Sequence, residues 1–143
     1  MITIKNKKQI TKLDIEIIAK LELEIFPDNF FNISDLKNLF FPINFYCLFF
    51  EEQNIIKGYC LFFENNLEAE IYKIGVMKKY QKQKIGSKII DYLKNNYQFI
   101  HIEVSDKDNK KEFYLKNDFK IIHKRNNYYS DNSNAIVMKW ERK

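Results

Sequence analysis

The stretch that decides the fold is VMKKYQKQKIGSKIIDYL, Val76 to Leu93. An apolar, strand-like run ends in it and a helix-like run begins, with Ile85, Ile89 and Leu93 on one face. Between them lie Lys78, Lys79, Lys82 and Lys84, then Gly86 and Lys88, in a chain with only three glycines. A strand entering a helix directly leaves first-turn N–H groups without intrahelical partners, and the helix dipole favours negative charge there. Gly86 lets backbone approach a ligand closely. The turn is not a Walker loop, which needs Gly-Lys-Ser/Thr after an earlier Gly. It also lacks the Gly-x-Gly-x-x-Gly of a dinucleotide fingerprint. From the residues alone, a phosphate site and an ordinary turn on a lysine-rich surface both stay open.

The 143 residues suit one compact domain, residues 1–143, with 45% hydrophobic and 16% aromatic residues to fill its core. Lys, Asn, Ile, Phe and Tyr are abundant throughout, so the net charge of +5 is weak support for nucleic acid. Its distribution says more. Residues 1–71 carry 7 basic and 11 acidic groups, and residues 72–143 carry 17 basic and 8 acidic groups. An acidic half beside a basic half suggests one cationic and one anionic ligand.

Cys47 and Cys60 are the only cysteines. They make no disulfide framework or zinc spacing, and buried free thiols in a reducing compartment are expected. The start, MITIKNKKQI, has no apolar core for a signal peptide. The most apolar run, Leu39 to Phe50, includes Pro42 and Asn44 and is too short to span a bilayer. It reads as a helix end followed by a buried strand.

Outward from the junction, ITIK reads as a first strand. Gln9 to Phe26 reads as a helix with Ile10, Leu13, Ile17, Leu21 and Ile25 on its apolar face, ended by Pro27. SDLKNLFF reads as a second helix capped by Ser34. FYCLFFEE and KGYCLFFE form a hairpin around Gln53 and Asn54. EAEIYKIGV is a strand, Lys84 to Tyr97 a helix, and FIHIEV a strand. Asn109 and Glu112 have capping-box spacing before a short helix, which Asn117 or Asp118 closes. KIIHKRNNYY and AIVMKW are the last strands. The order β-α-α-β-β-β-α-β-α-β-β gives an α/β protein with a mixed, mostly antiparallel sheet flanked by helices.

YQKQKIGSKII resembles the acyl-CoA pyrophosphate motif of the Gcn5-related N-acetyltransferase (GNAT) superfamily, Gln/Arg-x-x-Gly-x-Gly/Ala. Gln81 and Gly86 match, and Lys84 stands where the first Gly is usual. The element order resembles that superfamily over nearly the whole chain. IHIEVSDKDNKKEFYLKNDF and RNNYY…NAIVMKW resemble the bacterial enzymes that acetylate the N-terminal alanine of a small-subunit ribosomal protein. Glu103, Val104, Asn109, Phe113, Tyr114 and Phe119 fit that pattern, with a Glu-to-Tyr spacing one residue short and Asp118 in place of a Gly.

The resemblance implies acetyl-CoA as cosubstrate and no metal. It implies cofactor contacts from Ile74, Gly75 and Val76, from Gln81, Lys82, Gln83, Lys84, Ile85, Gly86 and Ser87, and from Asn109. Backbone N–H groups around Ile74 to Val76 would hold the thioester oxygen and pantetheine amides. Glu103 would accept the amine proton, directly or through water, and Tyr114 would protonate the leaving thiolate. Without the resemblance, a Tyr on a short helix reads as core and a Glu at a strand end as solvated. His101 reads as structural. Phe26, Asp28 and Tyr128 are expected at the acceptor, with Tyr129 as the aromatic partner of Tyr128. Glu22, Glu24, Asp28 and Asp35 read as an acidic rim steering a basic ribosomal protein.

The leading expectation is thus a cytoplasmic, monomeric enzyme that acetylates the N-terminal α-amine of a ribosomal protein by direct attack. It makes no contact with membrane or nucleic acid. A small amine, an antibiotic or a lysine side chain is the alternative acceptor. An RNA-binding module using the Lys-rich half is a remote alternative, with no recognition motif behind it.

Overall fold

The computed structural model describes residues 1–143. Its elements are β1 (Ile2–Lys5), α1 (Lys12–Ile25), α2 (Ile33–Leu39), β2 (Phe45–Glu52), β3 (Ile55–Asn65), β4 (Glu68–Val76), α3 (Ile85–Asn96), β5 (Phe99–Ser105), α4 (Lys110–Lys116), β6 (Lys120–Arg125) and β7 (Ala135–Glu141). The expected order is found, with one 3-10 turn added at Lys78–Tyr80. The strands form one seven-stranded sheet in the order β1-β2-β3-β4-β5-β7-β6. Only the β4–β5 pair is parallel.

Each face of the sheet carries its own core. One packs Ile15, Ile18, Leu21 and Leu36 of α1 and α2 against Phe45, Cys47, Phe49 and Leu61. The other packs Ile85, Ile89, Ile90 and Leu93 of α3, with Tyr114 of α4, against Leu48, Phe62, Ile71, Ile100, Ile102 and Met138. Cys47 and Cys60 are free and buried, as expected. The β2–β3 hairpin turns at Gln53 and Asn54, whose φ values of 54° and 62° suit a tight turn that matches strand twist.

Four local expectations are corrected. Helix α1 starts at Lys12, because Thr11 and Asp14 form its capping box. Its buried face is Ile15, Ile18, Leu21 and Glu22, while Leu13 is 64% exposed. A carboxylate on the inner face diverted the apolar reading by one position. Helix α2 is capped by Asn32, which shares reciprocal bonds with Asp35, and not by Ser34. The Asn109–Glu112 box does not form; Asp108 Oδ1 accepts the Lys110 N–H at 3.2 Å instead. Strand β6 stops at Arg125, since Asn127 turns at φ 52° with its N–H on Asn134 Oδ1, and Tyr128 and Tyr129 lie in a loop.

The decisive irregularity is in β4. Leu61 pairs with Lys73 and Phe62 with Ile71, so Tyr72 is an extra residue, a β-bulge. Ala69 and Ile71 belong to the α3-side core and, beyond the bulge, Ile74 and Val76 pack against that same core. Pairing of β4 with β5 ends at Ile71–Ile102, although both strands continue. The two strands therefore splay apart, leaving the sheet open between Tyr72–Val76 and Glu103–Ser105.

Gly75 is required just there. A Cβ on it would sit 2.7 Å from the Tyr59 ring. Gly75→Ala is expected to lower the unfolding free energy by about 2 kcal/mol through overpacking. A urea midpoint lowered at unchanged slope would show it; an unchanged midpoint would refute the contact.

Candidate active site

The splay opens into two clefts that share Ile74 and Lys110 in their walls. The first, about 510 Å³, lies at the β4–α3 junction between Ile25, Phe26, Val76, Tyr80 and Phe113. Gln81, Lys82, Lys84, Ile85, Gly86, Ser87 and Asn109 also line it. It contains no carboxylate. Lys84 is the N-cap of α3, at φ 64° and ψ 20°, and Lys82 is also left-handed at φ 66°. No side chain caps this helix end, so its first N–H groups stay free for a ligand. The loop takes the conformation that glycine favours, with lysines in its place. Gln81 closes the loop, its amide donating to the Val76 carbonyl at 3.0 Å. Gly86 has an ordinary φ and is small because Phe113 would touch a Cβ at 3.0 Å.

The second cleft, about 880 Å³, is walled by the α1–α2 loop, the open edges of β4 and β5, and the β6–β7 loop. Glu103 and Tyr114 both face it, from β5 and α4. Glu103 Oε1 is ion-paired with Arg125 Nε at 3.1 Å and is one-third exposed. Tyr114 is 3% exposed and packs edge-on to Phe113 and Phe119. Burial raises the pKa of its phenol, which stays protonated over the whole working range. Tyr128 and Tyr129 stand edge to face at 5.2 Å on the far wall. Burial and nearby Glu103 raise the pKa of Tyr129.

A buried network holds the near wall. Glu22, fully buried, accepts from the Tyr59 hydroxyl, from Lys73 Nζ at 2.7 Å and from the Phe31 N–H at 2.9 Å. Lys73 Nζ also donates to the Asn29 carbonyl at 2.6 Å. Its ammonium lies 4.2 Å from the Phe26 ring centroid. Burial lowers the pKa of Lys73, and Glu22 opposes that shift. The loop carrying Asp28, Asn29 and Phe31 is thus tied to the sheet from below.

The structure brings some of the residues expected from the sequence together and sets others apart. Glu22 is no part of an acidic rim. Gly75 is buried, and a side chain there would point into Tyr59 and not into the clefts. Gln83 is exposed and lines neither cleft. Phe26 lies on the loop cleft, not with Asp28 and Tyr128 on the other. His101 is structural, paired through Nδ1 with Glu68 at 2.5 Å. Lys73 and Lys110 were missed. A lysine between Tyr72 and Ile74, in the apolar end of β4, was the available signal for Lys73.

A family model described as "Acetyltransferase (GNAT) domain" matches residues 16–142. The chain therefore belongs to the GNAT acetyltransferases, whose acetyl donor is acetyl-CoA. No curated protein matches the sequence. Solved structures share the fold. The ribosomal-protein-S18-alanine N-acetyltransferase of Escherichia coli is 18% identical with TM-score 0.79, over 99% of this chain and 94% of its own. The aminoglycoside 6'-N-acetyltransferase of Enterococcus faecium is 14% identical with TM-score 0.80, over 99% and 96%. A GNAT acetyltransferase of Elizabethkingia anophelis, solved with acetyl-CoA bound, is 19% identical with TM-score 0.69, over 99% and 97%.

Removing one member of the buried pair leaves an uncompensated charge. Glu22→Ala is expected to cost about 3 kcal/mol or more in urea unfolding. The double variant Glu22→Leu with Lys73→Met is expected to recover much of that loss. Absence of recovery would assign the loss to the Tyr59 hydroxyl and the Phe31 N–H, which lose Glu22 as acceptor in both variants.

Proposed function

We propose that the protein acetylates the N-terminal α-amine of a peptide, an alanine of a small-subunit ribosomal protein, by direct attack on acetyl-CoA. The observation that carries the reading is the adjacency of two clefts, sharing Ile74 and Lys110 in their walls, that sets the lysine-lined loop next to the cleft of Glu103 and Tyr114. Acetyl-CoA would set its pyrophosphate on the free N–H groups at the start of α3, with Lys82 and Lys84 adding charge. Asn109, released from capping, lines the same passage. The open edge of β4 at Ile74 to Val76 would hold the pantetheine amides and the thioester oxygen, and the acyl group would arrive where the two clefts meet.

The acceptor amine enters past Asp28 and Tyr128. Its nitrogen forms the new C–N bond, and the C–S bond breaks as the tetrahedral intermediate collapses. The amine proton passes to Glu103, directly or through water, and Tyr114 supplies the proton taken by the CoA sulfur. Solvent then returns both groups to their starting forms. The bases that line the cleft beside Glu103 are carboxylates, which are weak. An α-amine, with a pKa of about 7.7–8.0, is already partly neutral near pH 7, unlike lysine at about 10.4. That difference supports a chain terminus over a lysine side chain. Buried free thiols and the absence of any helix long and apolar enough to cross a membrane fit a reducing cytoplasm.

Mass spectrometry of a peptide with a free N-terminal alanine, incubated with acetyl-CoA and the protein, is expected to show one acetyl group on the α-amine. An unmodified peptide beside an acetylated small amine would overturn the acceptor class. Tyr114→Phe is expected to lower kcat about 100-fold with little change in the Kd of acetyl-CoA. Equal kcat in both proteins would remove Tyr114 as the acid.

A further inference from the structure

The two clefts differ in charge. Five carboxylates line the acceptor cleft: Asp28, Glu70, Glu103, Asp108 and Asp131. Two lysines join them, Lys73 and Lys110. Internal pairing removes one charge of each sign, since Glu103 is held by Arg125 and Lys73 by Glu22. Asp28, Glu70, Asp108 and Asp131 have no ion-pair partner in the protein. Among the lining residues four carboxylates thus face one free ammonium, that of Lys110, which stands at the boundary with the loop cleft, while Lys107, outside the lining, donates to the Asp131 carbonyl at 3.0 Å. The loop cleft is lined by Lys82, Lys84 and Lys110 with no carboxylate.

This division does not follow the chain. Asp28 and Glu70 come from the acidic half, Asp108 and Asp131 from the basic half. The β5–α4 and β6–β7 loops bring the latter pair in, joined through Asp106, which accepts from the Asn134 N–H at 3.1 Å and its amide at 2.7 Å. Asp131 is oriented by the Ser133 N–H at 2.8 Å. Tyr72, 48% exposed and stacked on Phe31 at 5.7 Å, offers a π-face among these carboxylates. A cleft that leaves like charges unpaired around one passage lacks its counter-charge until a ligand brings it.

We propose that the acceptor carries a second positive charge next to the amine that is acetylated, and that the acceptor cleft selects for it. The proposal rests on the acetyl-transfer reading of the site but not on the acceptor being a peptide. An N-terminal peptide with arginine or lysine at its second or third residue satisfies it, and so does a small diamine. An anionic or neutral acceptor of the same size does not. Repulsion of acidic acceptors contributes as much to the selection as attraction of basic ones.

The test uses the purified full chain, acetyl-CoA and two series of acceptors. The peptides share a free N-terminal alanine followed by two arginines, two glutamines or two glutamates. The amines are 1,4-diaminobutane and butylamine. The arginine peptide is expected to exceed the glutamine peptide about tenfold in kcat/KM, with the glutamate peptide lower still and the ratio shrinking in added KCl. Glu70→Lys is expected to reduce the arginine-to-glutamine ratio severalfold. Equal kcat/KM across the peptides would overturn the charge selection and leave α-amine acetylation standing. Diaminobutane acetylated in preference to butylamine, with no peptide modified, would overturn the peptide acceptor and support the charge selection. No acceptor acetylated, although acetyl-CoA binds, would overturn both.

Discussion

The structure depends on the parting of β4 from β5. One extra residue, Tyr72, ends their parallel pairing at Ile71–Ile102 and turns Lys73 toward α1. Without that bulge the open strand edge would be zipped shut and no passage would join the two sides of the sheet. Lys73, once turned, needs a buried counter-charge, and Glu22 supplies it. The same carboxylate collects Tyr59 and the Phe31 N–H, and this binds the acceptor-side loop to the sheet. Gly75 leaves the space in which Tyr59 can lie. A bulge, an ion pair and a glycine thus act as one unit. The loss of either charge is therefore costly, while replacing both together is tolerable.

On the other side of the opening, the lysine-rich loop works with unusual residues. Lys82 and Lys84 occupy left-handed positions that glycine fills at lower conformational cost. In return the loop puts two ammonium groups beside the free N–H groups of α3. Lys84 does not plug the cleft; it lines the wall. The small residue that remains, Gly86, allows Phe113 of α4 to approach, which links the loop to the helix that carries Tyr114.

Much of the fold was legible in the chain. Each strand of the β2–β3 hairpin is a short apolar run, and Gln53–Asn54 is a turn between them. The Ile85–Ile89–Leu93 face of α3 is strongly periodic and is fully buried. These are local properties, with periods of two or 3.6 residues, that any single strand or helix displays. The readings that failed were partly local and partly long-range. Thr11 and Asn32 won their caps by local competition among several suitable side chains, and Asp108 took the Lys110 N–H. The inner face of α1 was misread because Glu22 is buried only by virtue of Lys73, 51 residues away.

The sequence by itself determined the element order, the lysine-rich strand-to-helix junction, and the elements on which Glu103 and Tyr114 stand. It also showed an acidic half beside a basic half. Only the tertiary structure decided where those charges act. The acceptor cleft draws its unpaired carboxylates from both halves, and Glu22 and Glu103 are neutralised by partners that sequence alone does not pair. The physical reason is that charges act through space, and burial and pairing are set by the fold. Composition counts every carboxylate equally, whereas the folded chain pairs Glu22 and Glu103 and leaves Asp28, Glu70, Asp108 and Asp131 without an ion-pair partner.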